Sequence, residues 1–247
     1  MIEGTLTISD LPEGWSGTTL GVVCHLESGA GFPLEYQGRL ELKYPFFKVG
    51  NLRDVASGEL LQSAPDTVDD GLAELLKAKI IPPYSTIFAK IGMAIRLNRR
   101  RLVGRLCCID NNTMAAIPSR AIEARYLLRF LETQDFMPLT SATTVPSLRK
   151  SSLEEIPIPL PPLAEQKRIV AKVEELLGRV NAARARLAKV PALLKRFRQS
   201  VLAAACSGQL TTDWRESHNP EAAGSLVARL HRDKSPPSDP LAREFPF

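Results

Sequence analysis

Residues 156–206 read IPIPLPPLAEQKRIVAKVEELLGRVNAARARLAKVPALLKRFRQSVLAAAC, and two patterns within them govern the fold. Four prolines, Pro157, Pro159, Pro161 and Pro162, fall within six residues. Each lacks a backbone N–H and has a fixed φ, so this run is neither helix nor central strand but a stiff, extended boundary segment. Pro162 and Glu165 then suit the first turn of a helix: the proline has no donor to leave unpaired there, and the acid faces the positive helix end. Beyond them Ile169, Val173, Leu176, Val180, Ala183, Leu187, Val190, Leu194, Phe197 and Val201 keep an unbroken four–three spacing. An apolar repeat of 3.5 residues predicts a long helix over 163–206 with a coiled-coil seam. Pro191 interrupts it and predicts a kink or the start of a second helix. Ser207-Gly208 predicts its end. A seam this narrow calls for a facing helix, from this chain or another; the alternative is a long helix packed on its own domain.

Upstream, residues 1–155 read as a mixed α/β domain. Runs rich in β-branched and aromatic residues predict strands at Leu20–His25, Pro45–Val49, Thr86–Ile91, Leu102–Ile109 and Met114–Ile117. Asp54–Gly58 and Leu97–Arg100 read as turns. Helices are expected at Asp69–Lys77 and at Ala121–Glu132, where Ile122, Tyr126, Leu127 and Phe130 share one face. Downstream, 207–247 is polar and proline-rich, a tail or linker with one helical stretch at Ala222–His231. The expected class is α+β: the domain 1–155, a Pro-rich junction 156–162, the long helix 163–206 kinked near Pro191, and the tail 207–247.

Composition narrows the function. The 247 residues are 44% apolar and 24% charged, ordinary for a globular protein. No run of about 18 uncharged apolar residues is present to cross a membrane. Met1–Asp10 carries acids and no basic segment, which argues against a secretory signal. Four cysteines without a CxxC pair, beside three histidines, argue against a zinc site or a disulfide framework and fit a reducing cytoplasm. The net charge of +5 is unevenly spread. Lys90–Arg105 holds six Lys/Arg and no acid, and Leu163–Cys206 holds ten against three Glu, while Asp66, Asp69, Asp70 and Glu74 form an acidic run. That asymmetry points to an oriented surface and a polyanionic partner.

No catalytic constellation survives inspection. Ile81-Pro82-Pro83-Tyr84 is one residue away from the Asn-Pro-Pro-Tyr loop of amino-methyltransferases, but Ile81 has no oxygen to accept from a target amine. Asp66 with Glu74 and Lys77 has the wrong spacing for a nuclease centre and matches an ordinary i,i+3 helical pair. There is no GxxxxGK[ST] loop. Cys107-Cys108 lies in an apolar run that reads as strand core, and His25, His218 and His231 have no partners at ligand spacing. The Lys90–Arg105 run is the exception. Its cations alternate with Ile91, Ile95, Leu97, Leu102, Val103 and Leu106, as in two strands joined by a basic turn at Asn98–Arg101. Such a tip suits a DNA groove; the alternative is a solvated hairpin.

The segment 151–170, SSLEEIPIPLPPLAEQKRIV, resembles the junction in specificity subunits of type I restriction–modification enzymes, where a target-recognition domain meets a conserved long helix. Other stretches agree: Leu11-Pro12-Glu13-Gly14-Trp15 with the domain opening, 47–52 (FKVGNL) with an early strand, and 142–148 (ATTVPSL) with the approach to the junction. Residues 193–201 (LLKRFRQSV) and 207–211 (SGQLT) match the end of the helix. The resemblance implies a non-catalytic DNA reader of one half of a bipartite site, with no cofactor of its own. Its implied partners are double-stranded DNA, methyltransferase subunits that carry S-adenosylmethionine, and an ATP- and magnesium-dependent restriction subunit, in the cytoplasm. Full-length members have two recognition domains and two long helices; this sequence has one of each. Ile169, Val173, Leu176, Val180, Leu187, Val190, Leu194, Phe197 and Val201 are therefore expected to pair with a second copy or with another half-subunit. Truncation of a longer gene is the other reading. The expected DNA contacts are Lys48, Asn51, Arg53, Lys90, Arg96, Arg99, Arg100, Arg101, Arg105, Thr143 and Arg149, the basic ones mainly on phosphates and Asn51 and the tip arginines on bases. A coiled-coil scaffold would lack salt-dependent DNA binding, and a stand-alone modifying enzyme would methylate DNA without partners.

Overall fold

A computed structural model describes residues 11–56, 58–141, 145–218 and 222–232. In chain order the elements are β1 (Ser16–Thr19), α1 (Leu20–Val23), β2 (Cys24–Ser28), β3 (Tyr44–Phe47), β4 (Leu60–Leu61), β5 (Thr67–Val68) and α2 (Asp70–Leu75). Then come β6 (Thr86–Ala89), β7 (Arg100–Val103), β8 (Cys108–Ile109), β9 (Thr113–Pro118), α3 (Ala124–Thr133), α4 (Lys150–Glu154) and β10 (Pro157–Leu160). Four further helices follow: α5 (Leu163–Leu187), α6 (Val190–Cys206), α7 (Thr212–Ser217) and α8 (Ala223–Arg232). Two compact units divide between Val180 and Asn181.

The first unit is built on a five-stranded sheet, order β2-β9-β6-β7-β4, antiparallel except for the parallel β4–β7 edge. Side chains alternate across it. Phe88, Met114 and Ala116 join a core with Leu127 and Leu131 of α3, whereas Ile87, Ala89 and Ala115 face the other way, onto Phe47, Leu52 and Ile109. Both faces are thus buried, and the strands read as continuous apolar runs for that reason. The three-stranded sheet β5-β3-β8 closes the second face, with Phe46 and Val68 in its own cluster. α3 forms as its apolar face predicts, with the Glu123 carboxylate accepting the Tyr126 N–H at 2.7 Å as its cap.

Several boundaries differ from the sequence reading. Leu20–Val23 is one helical turn rather than strand, because Leu20 and Val23, three apart, both point into the core. The run 102–109 is two strands in two sheets. It breaks at Gly104, where a Cβ would lie 2.3 Å from Gln62 Nε2. The basic stretch is not a tight hairpin: ten residues join β6 to β7, with a 3-10 turn at Met93–Leu97.

The junction is extended, and it is also paired. β10 lies antiparallel to β1 in a two-stranded sheet, Ser16 opposite Leu160 and Thr19 opposite Pro157. In a ribbon of two strands each strand has a free edge, so prolines that cannot donate are tolerated. Compactness extends past the junction: Gln166 and Val170 of α5 are buried in the first unit. The Gln166 side chain accepts from Glu123 N–H at 2.7 Å and donates to Pro161 O at 2.8 Å and Ala121 O at 3.1 Å. Glu174 adds an ion pair to Arg125 at 2.7 Å.

In the second unit the seam breaks at Ala188-Lys189, and α6 begins with Pro191 in its first turn, the second of the two outcomes expected there. Gly208 ends α6 in the left-handed conformation at φ 76°. The described part of the tail holds α7 and α8, so it is more helical than its polar composition suggested.

Candidate nucleic-acid interface

Strand direction distributes the predicted cations. β6 runs antiparallel to β7, with Phe88 opposite Arg100 and Thr86 opposite Leu102. Lys90 and Arg99 therefore lie at one end of the sheet, and Arg105 at the other, where its guanidinium donates to Lys43 O at 2.9 Å. The single basic run is split into two groups by one strand's length, about 13 Å at about 3.3 Å per residue.

Other segments converge on the Lys90–Arg99 end. Leu148 N–H donates to Lys90 O at 2.9 Å and Gly92 N–H to Pro146 O at 2.7 Å, which sets Arg149 beside the basic connection. β3 runs parallel to β8, so Lys48 and the 3-10 turn Val49–Arg53 follow Phe47 at this same end. Val55 O accepts from Arg101 Nε at 2.9 Å, which fastens that turn's exit to the start of β7. Arg53, Arg96 and Arg149 are exposed here and Lys90 and Arg99 are half-buried. Among the described residues Lys90, Arg96, Arg99 and Arg149 form no ion pair.

Four expected contacts are buried or already engaged within the protein. Arg100 is 1% exposed, its guanidinium 4.1 Å from the Phe136 ring centroid and 5.6 Å from that of Phe88. Burial pulls its pKa down to about 10, with Glu132 and Asp135 opposing. It alternates inward because it is paired with Phe88 in the ladder; it is not a tip arginine. Arg101, also pulled down by burial, spends its guanidinium on Val55 O and Arg100 O. Asn51 is buried, accepting Lys48 N–H at 2.8 Å and donating to Asp54 at 3.1 Å, so its amide is not available to bases. Lys48 is half-committed: its Nζ lies 2.6 Å from Asp66 Oδ2 and 2.6 Å from Gln37 Oε1. Thr143 lies outside the described residues.

The connection is tied to the end of α3. Asn98, left-handed at φ 49°, donates to Glu132 O at 2.8 Å. Burial raises Cys108 to about 11 and raises Cys107 further, so neither is a nucleophile at neutral pH. Among the described residues no group of three His, Cys, Asp or Glu is placed to hold a metal, and no helix is long and apolar enough to cross a membrane.

The seam residues Leu176, Val180, Leu187, Val190, Leu194, Phe197 and Val201 are 39–68% exposed. Ile169 and Val173 are half-buried.

Comparison with known proteins gives one answer throughout. Residues 12–191 match the family model of the type I restriction modification DNA specificity domain. The StySPI specificity subunit of a type I restriction enzyme from Salmonella potsdam is 30% identical over 221 residues, 85% of this chain and 46% of that protein. A chain from a structural study of assembly and conformational transition in the type I R-M system aligns with TM-score 0.64 and 27% identity, over 79% of this chain and 46% of that one. The HsdS subunit of Thermoanaerobacter tengcongensis aligns with TM-score 0.59 and 26% identity, over 82% and 47%. The chain spans about half the length of the curated relatives it matches.

Proposed function

This chain belongs to the type I restriction modification DNA specificity family, and from that premise we propose that it reads one half of a bipartite DNA site as a non-catalytic specificity subunit. The carrying observation is the end of the sheet where Lys90, Arg96, Arg99 and Arg149 converge with no ion pair among the described residues, beside Arg53, which pairs with Asp54 at 3.9 Å. Cations held without counter-charges release the counterions of a phosphate backbone on contact, which makes binding salt-dependent. Recognition by residues 1–155 is followed by the junction 156–162 and by docking on the helix 163–206. The methyltransferase subunits supply S-adenosylmethionine and the restriction subunit works with ATP and magnesium, all in the cytoplasm. The exposed seam on α5 and α6 takes a second copy or another half-subunit, restoring two readers per complex.

The test is a gel shift of the full chain with a duplex pool across a salt series. Retardation that weakens steeply with salt, without methyl transfer when S-adenosylmethionine is added alone, supports the reading. Salt-independent or absent binding overturns it.

A further inference from the structure

We infer that Asn111 reads an adenine edge in the major groove, as a specificity-determining residue within the reading proposed above. Asp110–Thr113 is a closed β-turn between β8 and β9, Thr113 N–H donating to Asp110 O at 3.0 Å. Its two ends are buried, Asp110 8% and Thr113 0% exposed. Asp110 N–H donates to Phe47 O at 2.9 Å, and its carboxylate accepts from the Thr113 hydroxyl and from Asn112 Nδ2. The chain passes close beneath at Gly29, where a Cβ would lie 2.1 Å from Asp110 O. The apex is therefore fixed in place before any ligand arrives.

Around it stand the cations. Lys90 N–H donates to Asn112 O at 2.8 Å, so the basic connection runs beside the turn, with Arg149 one segment further on. Four asparagines occupy this end of the sheet. Asn51, Asn98 and Asn112 spend their amides on Lys48 N–H and Asp54, on Glu132 O, and on Asp110. Asn111 is exposed, and its amide makes no hydrogen bond with the described residues. A carboxamide offers one donor and one acceptor side by side, the complement of adenine N7 and N6. Phosphate contacts from the surrounding cations would set the register in which that pair meets a base.

The proposal rests on the DNA-reading function, and one experiment separates the two. The full chain and its Asn111→Ala and Asn111→Asp variants each select from a random 30-base-pair duplex pool. The wild type is expected to enrich an adenine at one position. Asn111→Ala should relax that position by about 5- to 150-fold, the equivalent of about 1–3 kcal/mol for a bidentate pair. Asn111→Asp, an acceptor only, should shift it toward cytosine, whose N4 donates. The salt slope of Asn111→Ala should match the wild type, since no charge is lost. Replacing the selected adenine with 7-deazaadenine should weaken the wild type by a similar factor, a readout that needs no folded variant. Variants that enrich the wild-type sequence, or a wild type indifferent to 7-deazaadenine, overturn the role of Asn111 and leave the reading intact. A wild type that enriches no sequence overturns the reading, and this role with it.

Discussion

Arg100 and Arg96 are four residues apart and do opposite work. Arg96 is exposed on the connection between β6 and β7, while Arg100 lies under Phe136 with its charge sealed from solvent. Arg96→Ala with Arg99→Ala should lower the slope of log affinity against log salt by about 2, as expected when two phosphate contacts go. Arg100→Met, which keeps the volume and removes the charge, should leave that slope unchanged in the same titration. Asp66 makes a second residue-scale prediction. Burial would raise its pKa, but the Gly38 N–H at 2.7 Å and Lys48 at 2.6 Å prevail and hold it below its ordinary 3.8. A lowered carboxylate stabilises the fold above the unfolded value and loses that stabilisation as pH falls through the folded one. Thermal melts from pH 7 to pH 3 should therefore drop more for the wild type than for Asp66→Asn, with the difference appearing below about pH 4.

At the scale of elements, the joint between β10 and α5 depends on one amide. Gln166 is fully buried and satisfies Glu123 N–H, Ala121 O and Pro161 O together. Gln166→Ala leaves buried backbone groups unpaired and should cost about 2–4 kcal/mol, read from urea unfolding. Most elements were legible in the sequence: α2, α3, the cores of β3, β6 and β9, and the long helix follow from local periodicity. Less legible were places where a distant neighbour sets the conformation. Leu20–Val23 has strand-forming residues but turns helical to bury Leu20 and Val23 together, and the strand run 102–109 breaks where Gln62 crowds Gly104. The pairing of β1 with β10 joins residues about 140 apart in sequence, and no local pattern announces it.

For the whole molecule, assembly turns on the seam. Leu194 and Phe197 are 55% and 65% exposed on α6. Leu194→Glu with Phe197→Glu should convert a dimeric wild type to monomer in light scattering at micromolar concentration; a wild type already monomeric there would remove self-pairing. The candidate site was only partly readable before folding. The basic run Lys90–Arg105 pointed to the end of the sheet proposed above as the interface, and the alternation of charged with apolar residues marked strands. Which arginines face solvent depends on ladder register, and Arg100 opposite Phe88 turned inward. Asn111 carried no signal at all in the sequence, since a lone asparagine in a turn is ordinary; its standing comes from the commitment of its three neighbours' amides elsewhere.

Local chemistry was enough to establish the stiff proline segment, the amphipathic helix with its break near Pro191, and an uneven basic charge, because each follows from dihedral limits, periodicity or charge within a short window. The convergence of Lys90, Arg149 and the Asp110–Thr113 turn at one end of the sheets came from folding alone. It is set by hydrogen-bond register between strands far apart in the chain, a long-range choice made by burying both sheet faces at once.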